Sequence, residues 1–276
     1  MMNQAEIKAT LVERGWVTLD LPNPAEVFAV RDALLTRLRA TSLPELERLD
    51  DYHRWTSDDE RHIAVLYDLS TYYWDEQQGR SIVLDNLELF RALIGPQLHI
   101  QRRPYLRAVR PGHPADAAPM HRDTYYGASP HEVSIVVPFT DIEAADAIRV
   151  ISGSHRSPDS DYPYTQHHSE TVEIRSPRHR LGFPYAPKLL DPAVVERAEP
   201  VPLTVGQVLV FGLSLVHGGG VNSSERTRFS RDIRLVDSLA PVPWSRGVDE
   251  HYFVPLCAGP IISTTPGMHV AADSSG

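Results

Sequence analysis

The segment Met120-His121-Arg122-Asp123 sets an imidazole and a carboxylate two residues apart. On an extended strand such residues point to the same face, so His121 and Asp123 can serve one metal ion. Alone, His-x-Asp occurs by chance in many chains. His217 offers a third donor. It closes the apolar run 208–216, which reads as a buried strand. Gly218, Gly219 and Gly220 follow and leave room for a close approach to the backbone. Two imidazoles and one carboxylate are the facial set that holds Fe(II) and leaves three positions open. A bidentate 2-oxo acid and O2 can fill those positions.

A 2-oxo acid with a distal carboxylate needs an anchor. Arg228 lies eleven residues after His217 and can grip a carboxylate with two parallel hydrogen bonds. Ser230 faces the same way on a strand and adds a hydroxyl. Asp232 and Arg234 continue that face, and Arg234 is a second candidate to reach cosubstrate or substrate. Upstream, Gln101, Arg103, Tyr105 and Arg107 alternate along one strand. If that face looks inward, its polar groups converge on the metal, and its arginines require anionic partners. If it looks outward, they are solvated. Thr124, Tyr125 and Tyr126 follow the ligand pair directly and are expected to line the substrate pocket.

These residues need a rigid frame. Leu98 to Val109, Glu132 to Phe139, Ala147 to Ile151, Val201 to Leu203, Val208 to Leu215 and Arg228 to Leu235 are short β-like runs separated by Gly, Pro, Asn or Asp. Several short strands with such turns predict a sandwich or barrel. Before them, residues 5–15 are amphipathic and Trp16–Leu19 reads as a strand. Asn23-Pro24 is a helix start, and Val27, Val30, Leu34 and Leu38 predict a helix over about 24–40. A second helix is expected over about 83–94, stopped by Gly95-Pro96. Residues 41–62 read as polar and irregular. Residues 153–200, rich in His, Pro, Ser and Tyr, read as a long insertion. We read one domain over 1–276: helices to about 95, a β core over about 96–260, and that insertion.

Composition sets outer bounds. The 276 residues are 42% hydrophobic, enough for a core without disulfides. The single cysteine, Cys257, excludes an intrachain disulfide and suits a reducing cytoplasm. No stretch approaches a membrane span, and the N-terminal residues lack the pattern of a secretory signal. A net charge of -9 argues against a nucleic-acid surface and mildly favours a neutral or cationic small substrate.

The chain resembles the phytanoyl-CoA dioxygenase-like branch of the Fe(II)/2-oxoglutarate oxygenases. Four stretches carry the likeness: His121-Arg122-Asp123, residues 149–156 with Gly153-Ser154-His155, residues 205–211, and His217-Gly218-Gly219-Gly220 continuing to Arg228. The resemblance implies a mainly β fold, a double-stranded β-helix or jelly roll with flanking N-terminal helices. It implies His121, Asp123 and His217 as iron ligands and Arg228 as the anchor of 2-oxoglutarate. It also implies that the metal-proximal end of 2-oxoglutarate meets the 101–107 strand, and that His155 is structural. The family often has Gly-Gly where this chain has Ala145-Asp146-Ala147, so the loop there is expected to differ.

Cofactors so implied are Fe(II), 2-oxoglutarate and O2, and the reaction is hydrogen abstraction from an unactivated C–H bond, ending in hydroxylation or oxidative ring closure. Related halogenases lack the carboxylate that Asp123 provides. The stretch His121 to Gly127 is similar to oxygenases of bacterial antibiotic pathways, which points to a sugar or aminoglycoside substrate. Two rival readings are a cupin-like metal-binding jelly roll without oxygenase activity, an isomerase or sensor, and a non-enzymatic interaction domain in which the motif is accidental.

Overall fold

The computed structural model describes residues 3–75, 78–165, 177–181, 189–243 and 252–256. Cys257, His167 and His168 lie outside these residues, as does the middle of the expected insertion. Helix α1 (Gln4–Arg14) starts at a capping box between Asn3 and Glu6 and ends at Gly15, whose φ of 82° is left-handed. Strand β1 (Trp16–Asp20) follows. Helix α2 (Ala25–Thr41) buries Val27, Val30, Leu34 and Leu38, the stripe predicted from their spacing. Asn23 does not cap it. The Asn23 side chain donates to the Asp85 carbonyl instead, and its N–H donates to Asn86 Oδ1.

The second predicted helix is two helices, α4 (Gln78–Asp85) and α5 (Leu87–Ile94), after an unforeseen α3 (Asp59–Asp75). Asn86 causes the break, because its amide donates to the carbonyls of Ile82 and Asn23. The segment 41–62 is not loose. Leu43, Leu46, Leu49 and Tyr52 are buried, and residues 49–54 form a 3-10 turn. Among the described residues no helix is long and apolar enough to cross a membrane.

The β core is antiparallel. Its strands are β2 (Leu98–Gln101), β3 (Tyr105–Val109), β4 (Val133–Pro138), β5 (Ile148–Val150), β6 (Glu199–Val201), β7 (Gln207–Gly212), β8 (His217–Gly219), β9 (Arg228–Asp237) and β10 (Phe253–Pro255). The large sheet runs β1-β7-β4-β9-β2-β10, with β3 also paired to β9. The small sheet runs β6-β5-β8. The predicted single strand 98–109 is interrupted at 102–104, where Pro104 cannot donate to a ladder. Short helices α6 (Pro177–Arg180) and α7 (Pro192–Arg197) sit in the expected insertion, so that region carries structure of its own.

Alternation along the large sheet separates two apolar clusters. Val208, Val210, Ile135, Val137, Phe229 and Ile233 pack with the helices. Leu209, Phe211 and Val136 face the other way, into the space between the sheets with Val150 and Val201. On β9 this leaves Arg228, Ser230, Asp232 and Arg234 facing the inter-sheet space.

Where β3 ends, Arg110 is fully buried and ties the helices to the sheet. Its guanidinium makes a two-point contact with Asp116 at 2.8 and 2.9 Å and donates to the Thr56 carbonyl at 2.6 Å and to Asp59 at 2.5 Å. Removing Asp116 leaves the buried guanidinium with Asp59, itself half-exposed, as its one carboxylate partner among the described residues. Asp116→Ala is therefore expected to lower unfolding free energy by about 3–5 kcal/mol, read from urea titrations.

Candidate active site

The two histidines meet through their backbones first. His121 N–H donates to the His217 carbonyl at 2.8 Å, and His217 N–H donates to the His121 carbonyl at 2.9 Å. Gly219 N–H donates to Ala118 at 2.8 Å. The closeness demands glycine at 218, where a Cβ would lie 2.8 Å from the Pro119 oxygen and 2.9 Å from Met120 backbone atoms. What approaches the glycines is thus the chain that carries His121.

His121 lies in this bridge rather than in a regular strand, and Asp123 opens a 3-10 turn, Asp123–Tyr126. Arg122 between them is extended, with φ -110° and ψ 139°, so His121 and Asp123 still share a face. Arg122 points away. It is buried, donates to the carbonyls of Ser154 (2.7 Å) and Ser157 (3.0 Å), and pairs with Asp159. Sequence reasoning gave it no role.

Ligand atoms of His121, Asp123 and His217 all lie within 4.8 Å of one another, and all three residues are buried. His121 Nε2 is 3.7 Å from Asp123 Oδ1, and His217 Nε2 is 3.7 Å from Asp123 Oδ2. Each imidazole donates through Nδ1 to a backbone carbonyl, His121 to Pro119 at 2.7 Å and His217 to Leu215 at 3.0 Å. Each Nε2 lone pair is therefore free for a metal. Tyr126 packs edge-on against His121, and Phe211 packs on His217. Burial, and next the neighbouring His121, push His217 down to about 4, so it is neutral near pH 7. Burial works against the Asp123 charge, but Arg234 and the two imidazoles outweigh it and hold the carboxyl well below the usual range.

Three arginines face the inter-sheet space, with different partners. Arg107 pairs with Asp232 at 2.8 Å and donates to the Leu181 carbonyl. Arg234 donates to Asp123 Oδ1 at 2.6 Å and to the Tyr252 hydroxyl at 3.4 Å. Arg228 donates to the Asp146 carbonyl at 2.5 Å and has no ion pair among the described residues. The loop where Ala145-Asp146-Ala147 replaces glycines thus supplies a backbone acceptor for Arg228. Burial lowers the Arg228 pKa, only partly offset by Asp232 and Asp146. For Arg234 burial acts likewise, yet Asp123 reverses the sign.

Among the described residues, Arg228 Nε, Arg234 Nε, Ser230 Oγ and Gln101 Oε1 are buried without hydrogen-bond partners. Facing one space, these atoms could all be satisfied by one polar ligand or by water. Gln101 uses its amide nitrogen on the Arg103 carbonyl. Arg103 itself is exposed, over the Trp74 ring, because the strand is interrupted there. The expectation that Arg103 shares the inward face is corrected. Tyr105 does lie near the arginines, 5.0 Å from Arg107 and 5.9 Å from Arg234. Thr124 is half-buried and its N–H donates to the Leu213 carbonyl. Tyr125 stacks on Tyr164 at 3.8 Å and donates to the Tyr162 carbonyl, which commits it to the insertion's first turns. His155 bonds to the Val12 carbonyl, a structural contact as expected.

Antiparallel sheets closing on a buried His/Asp/His cluster define a double-stranded β-helix with a candidate metal centre. The chain belongs to the phytanoyl-CoA dioxygenase (PhyH) family, whose model matches residues 31–230. Among solved structures it is similar to the epimerase SnoN in complex with Fe3+, alpha ketoglutarate and nogalamycin RO. That match has 17% identity, covers 95% of this chain and 92% of the other, and has a TM-score of 0.51. It is also similar to SnoK, a non-heme alpha ketoglutarate dependent carbocyclase from nogalamycin biosynthesis, at 17% identity, 92% coverage of both chains and a TM-score of 0.50. These likenesses bear on the fold. No curated protein matches the sequence.

If the cluster binds a divalent metal, saturating Mn(II) or Ni(II) raises the melting temperature by about 5–10 °C, and His217→Ala abolishes the rise. An equal rise in that variant places the metal elsewhere.

Proposed function

We propose that the protein is an Fe(II)- and 2-oxoglutarate-dependent oxygenase acting on a small molecule, with His121, Asp123 and His217 as metal ligands. One observation carries the reading: two free Nε2 atoms and a carboxylate converge in the space onto which a buried, ion-pair-free arginine also faces. The donor set suits iron, since nitrogen and carboxylate donors without thiolate match non-haem Fe(II). Arg228 and Ser230 are proposed to hold the distal carboxylate of 2-oxoglutarate, with Gln101 and Tyr105 beside its other end. Bound there, Fe(II) with 2-oxoglutarate and O2 supplies an oxidant for an unactivated C–H bond, with release of succinate and CO2.

The protein's own share is positional. Pro119 and Leu215 carbonyls fix the imidazole tautomers, Arg234 holds the carboxylate, and Phe211, Val136 and Leu209 keep one side of the space dry. Hydroxylation and ring closure both begin with the same hydrogen abstraction.

For the substrate we propose a hydroxylated ring compound such as a sugar. Tyr105 and Tyr126 offer ring faces, and Arg107 offers a donor to hydroxyls. A polycationic aminoglycoside suits the net charge of -9. Near the metal ligands, however, its ammonium groups would meet arginines, so a neutral or anionic ring is favoured over it.

The test is succinate formation from 2-oxoglutarate under Fe(II) and O2 against a panel of sugars and aminoglycosides. Substrate-dependent succinate that disappears in Asp123→Ala is expected. Metal binding without succinate across the panel favours the cupin-like alternative. Arg228→Met should raise the KM for 2-oxoglutarate by roughly 30- to 900-fold, the equivalent of 2–4 kcal/mol for a lost charge-assisted anchor. An unchanged KM removes Arg228 from that role.

A further inference from the structure

Arg228 and Arg234 share one strand and one face, yet their guanidinium groups are differently committed. Among the described residues Arg228 bonds only to a backbone carbonyl and has no ion pair, and the Nε of each arginine lacks a partner. Arg234 is already engaged, with one nitrogen on Asp123 Oδ1 at 2.6 Å and another near the Tyr252 hydroxyl. Tyr105 lies beside the guanidinium, and Ser134 stands opposite Arg234 in the β4–β9 register. The pair is sequestered, with side-chain exposures of 12% for Arg234 and 9% for Asp123.

A carboxylate can bind a metal through one oxygen or both. Binding through both closes a position that a three-ligand face leaves open, and the chemistry proposed above needs all three. A guanidinium on one oxygen competes with metal for that oxygen's electron density and fixes the plane of the carboxylate. Each carboxylate oxygen lies 3.7 Å from an imidazole Nε2, Oδ1 from His121 and Oδ2 from His217, and of the two only Oδ1 carries the guanidinium among the described residues.

We propose that Arg234 is the positioning residue of Asp123: by holding Oδ1 it makes Asp123 a one-oxygen ligand through Oδ2 and keeps three coordination positions open. The inference rests on the metal-site reading above. It separates two of the three inward arginines, Arg234 serving the proposed metal ligand and Arg228 the cosubstrate.

Water-proton relaxation by bound Mn(II) counts exchangeable waters on the metal and needs no turnover. Wild type, Arg234→Met, Arg234→Lys, Arg228→Met and Asp123→Ala are compared at saturating Mn(II) without 2-oxoglutarate. Arg234→Met should lose about one-third of the bound-metal relaxivity, as three open positions become two. Arg234→Lys, which keeps a charged donor but not the planar fork, should recover part of that loss. Arg228→Met should match wild type in relaxivity.

Wild-type relaxivity in both Arg234 variants overturns the proposal while leaving the metal site standing. Failure of wild type to bind Mn(II) better than Asp123→Ala overturns the metal reading and the proposal with it. If Arg234→Met does not fold, with Asp123 left buried and unmatched, Arg234→Lys carries the test: a relaxivity below wild type supports the proposal and an unchanged one overturns it.

Discussion

Reciprocal backbone pairing of His121 with His217 is the constraint on which the candidate site depends. Two hydrogen bonds of 2.8 and 2.9 Å join segments far apart in sequence. They bring the imidazoles to 4.5 Å between ring centroids before any metal is considered. The pairing is possible only because residue 218 has no Cβ, since a methyl there would collide with backbone rather than with a side chain that could move. Backbone cannot yield as a flexible side chain does, so substitution at this glycine disturbs the metal cluster directly. The Nδ1 contacts to Pro119 and Leu215 then set the direction of each ring.

Charge in the inter-sheet space follows from strand register. β3 and β9 pair so that Tyr105 opposes Asp232, Arg107 opposes Ser230 and Val109 opposes Arg228. Alternation therefore puts Arg107, Arg228 and Arg234 on one surface. Burying an arginine costs least when its charge is matched; Arg231, on the opposite face, is buried over the Tyr73 ring with no ion pair among the described residues. Asp232 matches Arg107, and Asp123 matches Arg234. Among the described residues Arg228 has only a carbonyl, and that asymmetry is what a carboxylate-bearing cosubstrate would complete. Opposite pKa directions for Arg228 and Arg234 state the same difference electrostatically.

Much of this was legible in the sequence, where local pattern and tertiary demand agree. The α2 stripe, β4 and β9 lie close to their expected places because one-sided burial writes its period into the chain. The His/Asp/His cluster was legible through its order and spacing. Failures have local causes. Asn86 splits a helix through tertiary hydrogen bonds that no periodicity encodes. Pro104 interrupts a strand and turns Arg103 outward, which alternation counted through the break did not anticipate. The Arg234–Asp123 pair joins residues distant in sequence, and only the fold shows that Arg234 meets the proposed metal ligand.

Arg122 extends the argument from the metal ligands to the insertion. It sits between two proposed ligands, but its guanidinium grips the carbonyls of Ser154 and Ser157 and pairs with Asp159. Tyr162 lies under it at 5.0 Å, and Tyr125 donates to the Tyr162 carbonyl. The first turns of the insertion are thus fastened to the chain that carries Asp123. Ser154 adds a further tie, its hydroxyl accepting from the Val216 N–H next to His217. Both ligand-bearing segments are therefore braced against the same 154–162 stretch. A shift there would move the ligands along with it, so Arg122, which touches no proposed ligand atom, governs their geometry through the backbone it holds.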